Sequence, residues 1–296
     1  MLLDWAQCIG GLSLVLTGDL VEMRKQSQGS KLLISNHVSF TDAFAIFALA
    51  RSVGQHGHIR SFAKKTLSYQ PVFGWFWHIL NFIFLARDWD RDREQISKQL
   101  KALARRSRYF SSRSFWLLIF PEGTRVRPAK LQQGREFAAS RGLEPFDHVL
   151  FPRVKGLQAT LAAVGPALDG ALDITIGYPT LTASGHARPS VGDLLFGGGA
   201  AWTVHVHVRM IPAADMPADS SAAAAWVMER FREKDRLLAT FAAAGAFPGA
   251  PQALPPPALA VMARRHAEFA AASGLVLAVL WASARAAAAL AAAAEE

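Results

Sequence analysis

Cysteine is almost missing from these 296 residues: Cys8 stands alone. That excludes an intrachain disulfide framework and any zinc site built from thiolates. Cys8 lies in an apolar stretch with no histidine near it in sequence, so it reads as a small hydrophobe rather than a nucleophile. Charge is scarce as well, 19% of residues against the roughly 25% of an ordinary soluble domain. Long hydrophobic runs are also lacking. The stretch up to Thr17, residues 71–86 and residues 269–284 each fall short of the roughly 20 apolar residues that a spanning helix needs. Residues 71–86 carry Trp75, Phe76, Trp77 and Phe82, and 269–284 is flanked by Arg264, Arg265 and Arg285; both suit a helix lying in a membrane interface. No basic region precedes an apolar signal core, because Asp4 comes before the first apolar run. There is no His-Glu-x-x-His helix and no Gly-x-Ser-x-Gly elbow, which counts against a metalloprotease and a serine hydrolase.

What is present is grease and positive charge. Hydrophobic residues make up 51% of the chain, with 19 Phe and 8 Trp. Either the core is large or part of the surface meets lipid, and Trp suits the membrane–water boundary. The net charge of +9 points to an anionic partner: a nucleic acid, an anionic membrane surface or a phosphorylated substrate. Charge alone does not choose among them, but no aromatic stacking module for nucleic acid is evident.

Short apolar runs alternate with longer helical patterns. Residues 31–35 (KLLIS), 81–86 (NFIFLA), 115–120 (FWLLIF) and 171–178 (ALDITIGY) read as strands. The first three are nearly continuous apolar runs, as expected where both faces of a sheet are covered. Helical patterns fall at about 41–52, 92–110, 132–141 and 155–168. This order predicts an α/β fold, a mainly parallel central sheet flanked by helices, with helical membrane-associated extensions. Residues 203–209 (TVHVHVR) alternate like a half-exposed strand, with His205 and His207 structural, and 221–244 form a charged helix. The expected organisation is one main domain over 1–246 opening with an apolar helix over 1–20. A Pro-rich linker over 247–258 and an Ala-rich helical tail over 259–296 follow.

Two constellations carry chemistry. In Asn36-His37-Val38-Ser39-Phe40-Thr41-Asp42, Ser39 and Asp42 have capping-box spacing at the start of a helix. With Ser39 as N-cap, the carboxylate leans back toward His37 and can fix one tautomer of the imidazole. A plainer reading stays open, in which Asp42 only caps the helix and His37 is an ordinary loop residue. In Phe120-Pro121-Glu122-Gly123-Thr124-Arg125, Pro121 and Gly123 suit positions i+1 and i+3 of a type I turn. Such a turn at the carboxyl end of a strand would project Glu122, Thr124 and Arg125 into a crevice; a surface turn with an ion pair fits as well. Arg87 and Arg125 both follow strands at the end where His37 sits, so a parallel sheet would gather all three along one edge; Lys64, after residues 58–63, suits similar work, and a plain solvated role fits such basic residues as well. A metal site from His37, Asp42, His56, His58 and His78 has enough ligands on paper but no recognised spacing.

Asn36-His37-x4-Asp42 followed by Phe-Pro-Glu-Gly-Thr-Arg, roughly 80 residues on, resembles the glycerophospholipid acyltransferase family. Lysophosphatidate acyltransferases are its best-known members. Lys64-Lys65-x-Leu67-x3-Pro71-x2-Gly74-Trp75, Phe84-Leu85-Ala86-Arg87 and Val149-Leu150-Phe151-Pro152-Arg153-Val154-Lys155 look like further motifs of that family. Arg87-x-Trp89-x2-Asp92 and Glu233-Lys234-Asp235-Arg236-Leu237-Leu238 are similar to its lysocardiolipin and lysophosphatidylinositol acyltransferase branch. Asn81 departs from the glycine that many members carry there. The resemblance covers roughly residues 5–245. It implies an acyltransferase domain that moves an acyl group from acyl-CoA or acyl carrier protein to a lysophospholipid, 1-acyl-glycerol-3-phosphate foremost; the alternatives are a remodelling acyltransferase for another acceptor head group and, in a different class, a non-enzymatic binder of anionic membranes. It further implies His37 as base with Asp42 as partner, Lys64, Arg87 and Arg125 on the phosphate, and Glu122, Gly123 and Thr124 shaping that site. No metal, no cofactor beyond the co-substrate and no covalent acyl-enzyme are implied. The partners are then the two substrates and a membrane surface, not nucleic acid, with the site facing the cytoplasm.

Overall fold

A computed structural model of the chain describes residues 2–8, 11–69, 82–85, 89–109, 114–179, 202–217, 219, 221–254, 261, 264, 267, 268 and 271. The strands are β1 Leu12–Gly18, β2 Lys31–Ser35, β3 Ile59–Lys64, β4 Ile83–Leu85, β5 Trp116–Ile119, β6 Gly170–Gly177, β7 Trp202–Pro212 and β8 Gln252–Leu254. The helices are α1 Leu2–Cys8, α2 Leu20–Lys25, α3 Asp42–Ser52, α4 Trp89–Tyr109, α5 Pro128–Arg141, α6 Val154–Val164 and α7 Ala223–Ala244. The strands form one sheet in the order β4-β3-β5-β2-β6-β7-β1-β8. Five of its neighbouring pairs are parallel; β6–β7 and β1–β8 are antiparallel. The fold is therefore α/β with a mostly parallel sheet, as the alternation of apolar runs and helical patterns predicts.

The period-2 alternation of strand side chains sorts them onto two faces. Leu33, Trp116, Leu118, Leu172, Ile174 and Ile176 pack on one side with Ala45, Ile46 and Leu49 of α3 and Leu20 and Met23 of α2. Leu32, Ile34, Phe115, Leu117 and Ile119 pack on the other. There they meet Ile96 and Leu100 of α4, Leu157 and Leu161 of α6, and Val227, Phe231 and Leu238 of α7. Burial of both faces explains why β2 and β5 read as unbroken apolar runs.

The structure departs from the expected organisation at both ends. The apolar helix expected over 1–20 is the short helix α1 followed by strand β1, whose Leu12, Leu14 and Leu16 are buried against α3's side of the sheet. Leucine at every second position is a strand pattern, and pairing with seven successive residues of β7 fixes it. The stretch expected as a Pro-rich linker over 247–258 supplies β8, paired to β1 through Leu254, Ala253 and Gln252. Of the tail expected over 259–296, the five described residues are helical and exposed. Among the described residues no helix is long and apolar enough to cross a membrane. Trp75, Phe76 and Trp77 lie outside the described residues.

Candidate active site

β2, β3, β4, β5 and β6 run parallel, so their carboxyl ends share one edge, where α/β folds bind ligands. Beyond β2 the main chain turns away from the sheet, and Asn36 holds the turn. Its side-chain amide donates to the Ile176 carbonyl (2.9 Å) and its side-chain oxygen accepts the Ile176 N–H (2.8 Å). The side chain thus supplies one further ladder step while the backbone leaves. His37 follows at once, three-quarters buried with 24% of its side chain exposed.

His37 Nδ1 lies 2.9 Å from Asp42 Oδ2. The same oxygen accepts the backbone N–H groups of Val38 (2.6 Å) and Ser39 (2.9 Å). A carboxylate bound by two amides is an acceptor, so Nδ1 carries the proton toward it and Nε2 is left free for a substrate. Asp42 itself is wholly buried. The helix begins later than the capping-box reading requires: Thr41 is the N-cap and Asp42 the first helical residue. The carboxylate still reaches back to the Ser39 amide, while the Ser39 hydroxyl accepts the Thr41 N–H at 3.3 Å. The ring plane of His37 is set by stacking on Phe120, with centroids 4.2 Å apart and planes inclined by 25°.

Phe120 opens the second constellation, and the turn forms as its residues require. The Gly123 N–H donates to the Phe120 carbonyl at 3.0 Å, with Pro121 and Glu122 at the corners. Gly123 has φ +67°, and a Cβ there would lie 2.9 Å from Arg153 Nε. A glycine therefore serves both the left-handed backbone and the close approach of Arg153. The Val126 N–H donates to the His37 carbonyl at 2.8 Å, and the Arg153 N–H to the Pro121 carbonyl at 2.7 Å. These bonds tie the loops after β2 and β5 to the start of α6. They hold the backbone at Val126 against that of His37, so that Arg125 stands one residue from this contact, with its side chain exposed and Thr124 half-buried.

Glu122 does not share that exposure. Only 2% of it is accessible, so it points into the protein and not into an open crevice beside Arg125. Burial pushes its carboxyl well above the usual range, and the Asp42 carboxylate adds to the effect. The backbone amides of His37 and Leu150 and the Lys234 ammonium oppose it. Lys234 projects from the apolar stripe of α7 and is wholly buried. It forms an ion pair with Asp173 and donates to the carbonyls of Ile174 (2.6 Å) and Ile34 (3.2 Å). Its neighbours in sequence are also engaged: Glu233 pairs with Arg209 of β7, and Asp235 accepts the His148 N–H at 2.7 Å.

Lys64 ends β3, exposed, with β5 between its strand and β2, about 10 Å away at ordinary strand spacing. Arg87 lies outside the described residues. Among the described residues no three of the potential metal ligands come together. His56 and His58 precede β3, at the edge opposite His37, where His58 Nδ1 sits 2.8 Å from the Ser114 carbonyl. His78 lies outside the described residues. His205 and His207 pack against Phe241 and Phe247.

The sequence reading gave no site role to Asn36, Arg153 or Lys234, which stand inside quoted motifs, or to Tyr178, which does not. Lys234 did leave a signal: it occupies the i+7 position of the Val227–Phe231–Lys234–Leu238–Phe241 stripe, where a solvated lysine would not stand.

The chain that builds this His–Asp pair and Arg-bearing turn matches the family model Acyltransferase over residues 20–157 and the family model Acyltransferase C-terminus over residues 194–266. The chain belongs to the glycerophospholipid acyltransferase family. It is 36% identical over 217 residues to a probable 1-acyl-sn-glycerol-3-phosphate acyltransferase 5 of Arabidopsis thaliana, spanning 73% of this chain and 55% of the relative. It is 31% identical over 220 residues to an uncharacterized acyltransferase of Schizosaccharomyces pombe, spanning 74% and 61%. With the 1-acyl-sn-glycerol-3-phosphate acyltransferase gamma of Mus musculus it shares 30% identity over 249 residues, 84% of this chain and 62% of the relative. The chain therefore spans a little over half the length of the curated relatives it matches.

Proposed function

We propose that this chain is an acyltransferase that moves a fatty acyl group from acyl-CoA or acyl carrier protein to the free hydroxyl of a lysophospholipid, foremost 1-acyl-glycerol-3-phosphate. The observation that carries the reading is the His37–Asp42 pair at 2.9 Å, held at the carboxyl edge of the sheet beside the turn that bears Arg125. His37 Nε2 takes the proton of the acceptor hydroxyl as its oxygen attacks the thioester carbonyl. Collapse of the tetrahedral intermediate expels the thiolate, which recovers that proton from the imidazolium. Asp42 holds the tautomer and balances the positive charge in between; general-base help of this kind is worth about 10²–10⁴-fold. The nucleophile belongs to the substrate, so no acyl-enzyme and no cofactor take part.

Arg125, Lys64 and Arg87 hold the acceptor phosphate, with Gly123 and Thr124 shaping the turn around it. Arg153, exposed and packed on Gly123, adds a further cation to that side. Fatty acyl donors and acceptors partition into bilayers, so the reaction runs at a membrane surface, with the site facing the cytoplasm that supplies the thioester. The net charge of +9 favours an anionic surface.

The test is acyl transfer by purified protein with a panel of lysophospholipids, read by mass spectrometry. Product with lysophosphatidate is expected; product only with another head group would reassign the acceptor, and none with any would overturn the reading. His37→Ala should abolish turnover in a folded protein, and wild-type turnover by that variant would remove His37 as base. Arg125→Ala should raise the acceptor KM tenfold or more, about the value of a charge-assisted hydrogen bond.

A further inference from the structure

Asp42 has two oxygens, and only one faces His37. Oδ2 takes the imidazole and two backbone amides. Oδ1 takes the Tyr178 hydroxyl at 2.7 Å. Tyr178 directly follows β6, the strand beside β2, so the sheet itself brings it level with the loop that carries His37. Its single proton goes to the carboxylate, and its oxygen lies 2.7 Å from Thr41 Oγ1, which must then donate to it. Thr41 is wholly buried. The result is a directed chain, Thr41 to Tyr178 to Asp42, with His37 donating to the other side of the same carboxylate. Two donors on opposite oxygens block rotation of the carboxylate about its own axis. Burial and the Asp42 charge keep the Tyr178 hydroxyl protonated far into the alkaline range, so it remains a donor throughout.

We propose that Tyr178 is a positioning residue for the acyl transfer: it locks the Asp42 carboxylate and thereby holds the His37 imidazole as the Nδ1–H tautomer with Nε2 facing the acceptor hydroxyl. The inference rests on the reading of His37 as base and deepens it. In this role Tyr178 acts through Asp42 and not on the reacting atoms.

The experiment compares wild type, Tyr178→Phe and Thr41→Val by two readouts. One is the ¹⁵N spectrum of the histidine side chains, in which the Nδ1–H and Nε2–H tautomers differ and His37→Ala assigns the His37 signals. The other is steady-state transfer to lysophosphatidate. Tyr178→Phe should convert a single His37 tautomer into a mixture. It should also lower kcat about tenfold or more, the scale of a lost hydrogen bond to a charged group, with the acceptor KM unchanged. Thr41→Val keeps the tyrosine in place and removes one of the two hydroxyls that support it, the other being Ser39, so it should shift both readouts in the same direction by a smaller factor. It also decides the matter should Tyr178→Phe not fold. A folded Tyr178→Phe with one tautomer and wild-type kcat would overturn the proposal, as would a rise in KM with kcat intact. With Tyr178→Phe unfolded, an unaltered Thr41→Val would do the same. The tautomer spectrum is independent of turnover, so a wild-type protein with no acyl transfer would sink the proposed function while the spectrum still judged Tyr178.

Discussion

Glu122 shows how one residue of a recognisable motif can lie in surroundings unlike those of the residues that follow it. It is followed by exposed Gly123 and half-buried Thr124, but its own carboxyl is enclosed, with Asp42 repelling and Lys234 attracting its charge. Because its folded-state pKa is raised, proton binding favours the fold. The stability Glu122 contributes is fully present below the ordinary carboxylate pKa of about 4.3 and is lost as pH rises through the raised value. Glu122→Gln does not titrate. Its unfolding free energy relative to wild type should therefore increase steadily from acid toward alkaline pH. Urea denaturation across pH 5–9 measures this, and a difference that stays flat with pH would show that Glu122 does not titrate through this range. The His37–Asp42 pair was legible because its partners lie five residues apart and the local backbone alone can join them. Tyr178 meets Asp42 across 136 residues and was not legible, since only strand order creates that neighbourhood.

The same division holds for elements. β2 and β5 announce themselves as continuous apolar runs because helices cover both their faces, and their bounds follow the sequence closely. β1 is spaced like a strand but sits behind α1, and its seven residues merge with the helix into one apolar stretch in the sequence. β8 has only three residues, and pairing with β1 makes it a strand, not its own composition. α7 was legible as a charged helix, but not as the element that inserts a lysine beneath the sheet. Lys234 sits against Asp173 and two strand carbonyls with no exposure, and Asp173 is itself 4% exposed. Lys234→Met preserves the volume but leaves Asp173 charged, buried and unpaired. It should cost about 3–5 kcal/mol of unfolding free energy, while Lys234→Met with Asp173→Asn should recover a large part of that. A double-mutant cycle by chemical denaturation reads the coupling directly. Independent, additive losses would mean that α7 is held by its apolar stripe alone.

At the scale of the molecule, the question is where the folded unit closes. Composition places a boundary near residue 246, because proline and glycine follow. The packing does not stop there. Phe247 is 4% exposed and lies 4.8 Å from the ring of Phe241, and a Cβ on Gly177 would come within 3.0 Å of both rings. Gly177 is the residue before Tyr178, so these two rings back the end of the strand from which the tyrosine that binds Asp42 emerges. Farther on, β8 covers the outer edge of β1, and Gln252 accepts a hydrogen bond from Arg24 at 2.5 Å. A chain ending at residue 246 loses the burial of Phe247, about 1.5–3 kcal/mol, and uncovers β1 as an open edge prone to pairing with other chains. A chain ending at 258 keeps both. The shorter chain should therefore unfold at lower urea, self-associate more readily in light scattering and turn over more slowly, while the longer one should match the full sequence in all three. Equal stability of the two lengths would mean that the unit closes at α7 and that the β8 pairing adds nothing. A stability difference with identical turnover would instead separate the rings behind Gly177 from the chemistry.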